Sequence, residues 1–133
     1  MSATDPSLKY VLRDMGSAAR EFYRRLAEGR LATTRCPSCD ELRFPPRERC
    51  AACGGRTAWR ELSGRGTVYA FTQQERGLRF IAPDVVGVIE LEEGVRVFGL
   101  LATPFESLSI GQPVELEPRA DDAGLTLLVF RPG

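Results

Sequence analysis

The sequence predicts a mainly β protein with an N-terminal helix, a four-cysteine zinc ribbon and a C-terminal five-stranded barrel. Three observations support this fold class: apolar residues at helical spacing, four cysteines in two C-x-x-C pairs, and a remainder that alternates like short strands. The 133 residues suffice for one small domain, or one domain with an appendage. We divide them into a helical segment (1–34), a zinc ribbon (35–61) and a barrel (62–133).

Residues 14–29 are predicted to form an amphipathic helix. Asp14 or Ser17 is placed to cap its start, and Gly29 stands where the helix would end. One face carries an apolar stripe that consists of Met15, Ala19, Phe22 and Leu26. Because a small ribbon and barrel offer little surface to cover this stripe, we expect the helix to dock on a partner subunit or on a second copy.

The four cysteines stand in two pairs, Cys36-Pro37-Ser38-Cys39 and Cys50-Ala51-Ala52-Cys53. A two-residue spacer lets both sulfurs of a pair bind one ion, and four thiolates complete the tetrahedral shell of zinc. Such a shell leaves no position for water or substrate, so the metal is predicted to be structural. Gly54 follows the second pair, where the turn needs a positive φ; Asp40 holds the matching place after the first pair.

Three alternatives to zinc remain open for this cysteine set. A redox-active pair would need a thioredoxin-like βαβ setting, which the sequence lacks. Two disulfides would need an oxidising compartment. An iron centre of the rubredoxin type is compatible with the same four sulfurs.

The barrel prediction comes from about five short strands between turn signals. The oligonucleotide/oligosaccharide-binding (OB) fold is the five-stranded candidate, and another small β-sandwich or barrel is the alternative. Glu93-Gly94 is predicted to form the tight turn of a hairpin. The predicted strands are Thr67–Thr72, Val85–Glu92, Val95–Leu101, Val114–Glu117 and Leu125–Phe130.

Charge and composition restrict the function. The formal net charge is +0, with 13 basic and 8 acidic side chains in residues 1–65, and 5 basic and 10 acidic side chains in residues 66–133. The acidic barrel half opposes a nucleic-acid binder that relies on phosphate contacts. The chain has no histidine, and a ribbon that takes all four cysteines leaves no thiol as a nucleophile. The arginines near the cysteines can offset the charge of a zinc–thiolate centre: Arg35, Arg43, Arg47, Arg49 and Arg56.

Membrane and export signals are lacking in this sequence. No stretch approaches eighteen consecutive apolar residues, and residues 1–6 lack the basic and apolar regions of a signal peptide. We therefore expect a cytoplasmic protein that does not enter a membrane.

The order of helix, four-cysteine ribbon and small barrel resembles the Domain of Unknown Function 35 (DUF35) family, over roughly residues 20–131. Tyr23 stands where the family has tryptophan, and Asp40 where it has glycine. The motifs that carry the resemblance are Phe22-Tyr23, the two C-x-x-C pairs, Phe44-Pro45-Pro46-Arg47, Trp59, Ser63-Gly64-Arg65-Gly66-Thr67-Val68, Phe71-Thr72, Glu90-Leu91-Glu92-Glu93-Gly94 and Ile110-Gly111-Gln112-Pro113-Val114.

The resemblance implies a rubredoxin-like ribbon, an OB fold and the role of a non-catalytic accessory subunit. Such a subunit would join a hetero-oligomer with a thiolase-superfamily protein: a thiolase, an acyltransferase or a lipid-transfer-protein-like aldolase. It also implies a coenzyme A (CoA) thioester, shared with the partner. Arginine forks and aromatic faces suit the CoA phosphates and adenine, and the candidates are Tyr23, Phe44, Arg47 and Arg49.

Other functions remain as alternatives at this point. One is a nucleic-acid-binding module, because zinc ribbons and OB folds both perform that role. Another is a subunit that works beside a hot-dog-fold enoyl-CoA hydratase. A stand-alone enzyme acting on CoA thioesters is disfavoured because histidine and spare cysteine are missing.

Overall fold

The computed structural model describes residues 16–74, 84–120 and 124–133. Among these described residues there are one helix, α1 (Ser17–Ala27), a 3-10 turn at Phe105–Ser107, and ten strands. In chain order the strands are β1 (Ala32–Arg35), β2 (Leu42–Arg43), β3 (Ala58–Glu61), β4 (Arg65–Gln74), β5 (Asp84–Leu91), β6 (Arg96–Leu101), β7 (Pro113–Leu116), β8 (Arg119–Ala120), β9 (Thr126–Leu127) and β10 (Val129–Pro132). No helix among these residues has the length and apolar character needed to span a membrane.

The chain forms two compact units. The first comprises the described residues up to Leu62 together with Arg119–Leu127, and the second comprises Ser63–Pro118 and Leu128–Gly133. We call them the ribbon unit and the barrel unit. The three-part division at residues 34 and 61 stays a prediction from the sequence.

Helix α1 of the ribbon unit ends at Ala27 with Glu28 as its C-cap, two residues before the predicted end. Gly29 follows the C-cap with φ +82°. The Gly29 N–H donates to the Leu26 carbonyl at 2.9 Å, and the Arg30 N–H to the Arg25 carbonyl at 3.0 Å, which is the Schellman arrangement. The N-cap is Gly16, not Ser17 as one of the two predictions had it, because Ser17 is already helical. Asp14 and Met15 lie outside the described residues.

Two residues of the predicted apolar stripe, Phe22 and Leu26, are buried within the ribbon unit itself. Phe22 is 4% exposed and Leu26 is 0% exposed. The helix packs on β1 and β9, and the Phe22 ring lies 5.5 Å from the ring of Phe44. The described part of the chain therefore covers these two residues by itself, which removes the reason for expecting the helix to dock; docking of the helix stays a prediction. The cover comes from β9, whose residues were predicted to belong to the last barrel strand.

A three-stranded antiparallel sheet, with order β2-β1-β3, forms the frame of the ribbon unit. The central strand β1 has its first three residues buried. Thr34 pairs with both Arg43 of β2 and Trp59 of β3. The sheet therefore fixes the polypeptide on both sides of the loops that carry the cysteines.

The barrel unit is a closed five-stranded barrel with order β10-β6-β5-β4-β7. Its neighbouring strands are antiparallel except β6 and β10, which are parallel. The interior is filled by alternate residues of the strands, because successive side chains of a strand point to opposite faces. The most deeply buried of them are Val68, Ile89, Val97, Val114 and Phe130. The predicted five-stranded OB barrel is confirmed.

The last predicted strand, Leu125–Phe130, is divided in the structure. β9 pairs with β8 as a separate two-stranded sheet, whereas β10 enters the barrel. Leu128 lies between them, and its carbonyl accepts a hydrogen bond from the Leu100 N–H at 2.9 Å. Leu128, Val129 and Phe130 are all buried. Three consecutive buried side chains cannot lie on one face of a single strand.

We expect Gly66→Ala to destabilise the barrel by about 2–3 kcal/mol or more, because a methyl group there overlaps backbone. A Cβ at this position would lie 2.9 Å from both the carbonyl carbon of Glu90 and the Cα of Leu91. Guanidinium denaturation measures the loss. Gly133→Ala is the control, since its Cβ would meet only contacts at 3.5 Å. Equal stability of the two variants would contradict this prediction.

Candidate metal centre and arginine-lined cavity

The four cysteine sulfurs lie within 4.8 Å of one another in the ribbon unit. The Cys36 and Cys53 Sγ atoms are 3.5 Å apart, and those of Cys50 and Cys39 are 3.9 Å apart. A tetrahedral ion with Zn–S bonds of about 2.3 Å requires sulfurs about 3.8 Å apart. The two cysteine pairs thus present four sulfurs at the spacing that zinc needs.

Two similar turns hold the cysteines in place. The Asp40 N–H donates to the Cys36 carbonyl at 2.7 Å, and the Gly54 N–H donates to the Cys50 carbonyl at 2.8 Å. Asp40 has φ 60° and Gly54 has φ 74°, so both residues take the predicted left-handed conformation. The Asp40 carboxylate accepts a hydrogen bond from Arg35 Nε at 2.7 Å, an ion pair that a glycine could not make.

The electrostatics of the cluster also fit a cation. Backbone hydrogen bonds from Cys53 and Ala52 lower the pKa of the Cys50 thiol to about 6. Hydrogen bonding first with Cys53, then with the other two thiols, raises the pKa of Cys39 to about 12. Four sulfurs this close cannot all ionise alone, because like charges repel. A divalent cation replaces the shared protons, so this donor set fits a structural zinc ion.

The arginines near the cysteines fall into two groups. Arg35 forms an ion pair with Asp40, and Arg43 pairs with Glu41 at 2.5 Å. These two are neutralised by carboxylates of their own unit. The other three line a cavity and make no ion pair with any residue that the structure describes: Arg47, Arg49 and Arg56.

This cavity, which we call the arginine cavity, has a volume of about 480 Å³. The start of α1, strand β1, the loop after β2 and strand β3 all contribute to its wall. Besides the three arginines, the wall includes Trp59, Thr34 and two carboxylates, Glu21 and Glu48. Glu21 is bonded to Arg24 and Arg25, so three guanidinium groups face one remaining carboxylate, and this positive balance suits a ligand with several negative charges.

Backbone contacts hold this cavity wall in place. The Arg47 N–H donates to Thr34 Oγ1 at 2.9 Å, and Thr57 Oγ1 donates to the Arg47 carbonyl at 2.6 Å. Arg49 and Arg56 face each other in an isolated antiparallel bridge. The side chains of the three arginines therefore extend from a fixed backbone.

Trp59 is half-buried in the cavity wall, and a guanidinium group lies over its indole. Arg25 Cζ lies 4.9 Å from the Trp59 ring centroid, a cation–π contact. Glu21 holds Arg25 there through a 2.6 Å bond to Nε. The tryptophan is thereby fixed between an ion pair and the cavity.

The residues predicted for CoA binding occupy two places. Arg47 and Arg49 line the arginine cavity. Tyr23 and Phe44 do not; both rings pack on Phe22, at centroid distances of 5.1 Å and 5.5 Å. Neither Trp59 nor Arg56 was predicted to belong to a ligand site. Trp59 was noticed only as a motif residue, and the pattern gave no sign that it would line the same cavity as Arg47.

We expect the carboxyl group of Glu21 to titrate far below its ordinary pKa. Hydrogen bonds from Arg24 and then Arg25 lower this pKa from 4.5 to about 2. Because the folded pKa is depressed, the stabilisation by these ion pairs is present above about pH 4.5 and is lost as the pH falls towards 2. The pKa of Glu21 is measured by an NMR titration of its carboxyl carbon, in the wild type and in the variants Arg24→Gln and Arg25→Gln.

Both substitutions should move the Glu21 titration upward, and the larger shift is expected for Arg24→Gln, because Arg24 binds both carboxylate oxygens, at 2.9 and 2.7 Å. Arg60→Gln is the control, since Arg60 is exposed on β3 and is absent from these contacts. A midpoint near 4.5 in the wild type would refute the prediction.

Comparison with known protein families identifies both parts of the chain. Residues 24–60 match the family model described as "ChsH2, rubredoxin-like zinc ribbon domain". Residues 59–119 match the model described as "ChsH2, C-terminal OB-fold domain". The predicted ribbon and barrel are thus both recognised, and the two matched ranges overlap at residues 59 and 60.

Two curated relatives differ in how much of their length the chain covers. It is 36% identical over 115 residues to a "DUF35 domain-containing scaffold protein" of Methanocaldococcus jannaschii, covering 81% of this chain and 80% of that protein. It is also 36% identical over 116 residues to a "Probable enoyl-CoA hydratase alpha subunit" of Thermomonospora curvata, with 84% of this chain covered. The match spans only 36% of that longer protein.

A solved structure gives the same family. A chain of the "Ltp2-ChsH2(DUF35) aldolase" superimposes with a TM-score of 0.79 and 32% identity, covering 90% of this chain and 97% of that one. A Sulfolobus solfataricus protein of unknown function from the DUF35 family gives a TM-score of 0.64 at 13% identity, with 98% and 99% coverage; this likeness shows the fold alone. By these matches of sequence and structure, the chain belongs to the DUF35 family, with a zinc ribbon followed by an OB-fold barrel.

Proposed function

We propose that this chain is a non-catalytic accessory subunit that binds and stabilises a thiolase-superfamily enzyme. The observation that carries the proposal is the likeness to a chain of the Ltp2-ChsH2(DUF35) aldolase, at 32% identity over 97% of that chain. The DUF35 scaffold protein of M. jannaschii supports the same kind of role. The partner would be a thiolase, an acyltransferase or a lipid-transfer-protein-like aldolase.

The composition of the chain agrees with a non-catalytic role. Chemistry on the carbon chain of a thioester needs a base or an activated nucleophile near neutral pH. The sequence has no histidine. Its four cysteines all lie in the cluster that fits zinc. The partner would therefore supply the reacting groups, and this subunit would act on stability and substrate affinity.

We further propose that the arginine cavity contacts the CoA part of the thioester. CoA carries a pyrophosphate and a 3′-phosphate, and guanidinium groups bind phosphate oxygens with two parallel hydrogen bonds. Arg47, Arg49 and Arg56 supply three such groups, none of them used in an ion pair with a described residue. Trp59 adds an aromatic surface for the adenine. Tyr23 and Phe44 would contact CoA only if it also ran past Phe22.

A second candidate is a subunit that works beside a hot-dog-fold enoyl-CoA hydratase. The observation that favours it is the 36% identity to the probable enoyl-CoA hydratase alpha subunit of T. curvata. In that protein the matching segment makes up 36% of the length, so the related unit belongs to a longer chain. A nucleic-acid-binding function has weaker support, since residues 66–133 carry 10 acidic and 5 basic side chains.

The test is steady-state kinetics on complexes co-expressed with the enzyme encoded beside this chain's gene. We expect no turnover of CoA thioesters by the chain alone, and a partner that loses stability or substrate affinity when the chain is omitted. Whether the partner is a thiolase-superfamily protein or a hydratase decides between the two candidates. Robust turnover by the isolated chain, or a partner indifferent to its removal, would contradict the proposal.

A further inference from the structure

The large hydrophobic side chains that remain exposed among the described residues all lie on the barrel unit. They are Tyr69 (48% exposed), Phe98 (58%), Phe105 (37%) and Ile110 (64%). Phe105 differs from the others because its ring packs on Phe71 at 5.3 Å. The ribbon unit, which holds the arginine cavity, has no such side chain in its described part.

One of these side chains, Phe98, stands in a row of residues that crosses three strands of the barrel, and Tyr69 and Ile110 belong to segments next to that row. Ala70 of β4, Val88 of β5 and Phe98 of β6 are directly opposite one another across three adjacent strands. Tyr69 lies beside Ala70, at the bulge where the register of β4 shifts. The turn after Ile110 is fixed to the same strand, since the Gly111 N–H donates to the Val68 carbonyl at 2.7 Å. We call Tyr69, Val88, Phe98 and Ile110 the barrel patch.

The neighbouring row shows what an ordinary solvated face of this barrel looks like. Thr67, Glu90 and Arg96 are opposite one another on the same three strands. Arg96 pairs with Glu90 at 3.1 Å, and its guanidinium lies 3.8 Å from the Tyr69 ring centroid. Sheet faces that meet water are usually polar like this row. The next row, Ala70, Val88 and Phe98, has no charged side chain and adjoins Tyr69, and exposed apolar and aromatic side chains that lie together mark protein interfaces.

We propose that the barrel patch is the surface through which this subunit docks on its partner enzyme, and that the partner presents an apolar recess with a basic rim. This inference rests on the proposed accessory function. Phe98 and Tyr69 would be the buried anchors, because aromatic side chains near the centre of an interface contribute most of its binding energy.

Charge selects this partner over a second copy of the chain. The described arginines of the barrel unit are each paired with carboxylates of the same unit: Arg65 with Glu92, Arg96 with Glu90, and Arg131 with Glu115. Glu106, in the connection that leads to Ile110, has no ion pair with a described residue. The barrel unit, residues 63–118 and 128–133, contains 8 acidic and 5 basic side chains. Two such barrels would repel each other, whereas a basic rim would be attracted.

The experiment measures binding of the purified chain to the thiolase-superfamily protein encoded beside its gene. The variants are Phe98→Ser and Tyr69→Ser, and the matched control is Phe105→Ser, which removes an aromatic of the same barrel outside the patch. We expect Phe98→Ser to weaken binding roughly 30-fold, Phe105→Ser to change it less than threefold, and added salt to weaken the wild type. Zinc content and thermal unfolding verify that each variant folds.

The outcomes separate this inference from the accessory function. If the wild type binds and Phe98→Ser binds equally well, the docking surface is elsewhere and the accessory function stands. If the wild type fails to bind any thiolase-superfamily or hydratase partner, the accessory function falls, and the inference falls with it. Sedimentation of the chain alone should give a monomer. A dimer that Phe98→Ser dissociates would assign the patch to a second copy and overturn the inference.

Discussion

Replacing Cys36 by serine is expected to remove the metal and unfold the ribbon unit. Cys36 is 2% exposed, and its Sγ lies 3.5 Å from that of Cys53, so the loss of one thiolate opens the tetrahedral shell. Zinc binding to small ribbons and fingers is worth roughly 10–16 kcal/mol, and this free energy is also folding free energy. The zinc content measured by elemental analysis should fall from about one zinc per chain to a small fraction of that.

The matched control for the metal centre is Ser38→Ala. Ser38 lies between the two cysteines of the first pair, is exposed, and carries no sulfur. This variant should keep its zinc, and amide protons of β1 and β3 should stay protected from exchange. In Cys36→Ser, and in the wild type treated with a chelator, those protons should exchange rapidly. A metal-free protein with β1 and β3 still protected would contradict the prediction.

The metal centre could be predicted from the sequence because its information is local. Each pair needs only a two-residue spacer and a residue that tolerates positive φ, and both features are visible in the sequence around Asp40 and Gly54. The five barrel strands are predictable for a related reason. Side chains alternate within each strand, and turns such as Glu93-Gly94 separate the strands.

The division of the last strand has no comparable local signal. Residues 125–130 read Leu-Thr-Leu-Leu-Val-Phe, without a glycine or proline to mark a break. The break at Leu128 arises from tertiary structure, because β9 pairs with β8 and Leu128 bonds to Leu100 of β6. For the same reason the burial of the helix could not be predicted. β9, which was predicted to be part of the barrel, packs against α1.

The arginine cavity could be predicted only in part, because its wall comes from distant parts of the chain. Arg47 and Arg49 were proposed from a resemblance to a family, whereas Arg56 was interpreted as a counter-charge for the thiolates. Trp59 joins them only because β3 pairs with β1 in a register that places Trp59 opposite Thr34. Thr34 in turn accepts the Arg47 N–H. Such a register is fixed by the whole sheet, and the sequence of β3 does not encode it alone.

The double substitution Arg47→Ala/Arg49→Ala is expected to weaken CoA binding while leaving zinc content and thermal stability unchanged. Each arginine is exposed in the cavity wall and makes no ion pair with a described residue, so its removal breaks no ion pair within that part of the chain. A charge-assisted hydrogen bond to phosphate is worth about 1.5–3 kcal/mol. One such loss corresponds to a roughly 10- to 150-fold rise in Kd, and two neighbouring losses need not add.

Titration calorimetry on the co-expressed complex, with CoA and with dephospho-CoA, measures this effect and identifies the phosphate involved. If the arginines bind the 3′-phosphate, the wild type should bind CoA more tightly than dephospho-CoA, and the double variant should lose that preference. If they bind the pyrophosphate, the double variant should bind both ligands more weakly, by the same factor. Arg60→Ala is the matched control, because Arg60 is an exposed arginine of β3 that does not line the cavity. Equal CoA affinity in the wild type, the double variant and the control would show that CoA reaches the partner without touching this cavity. In that case the contribution of this subunit to the complex would be its docking alone.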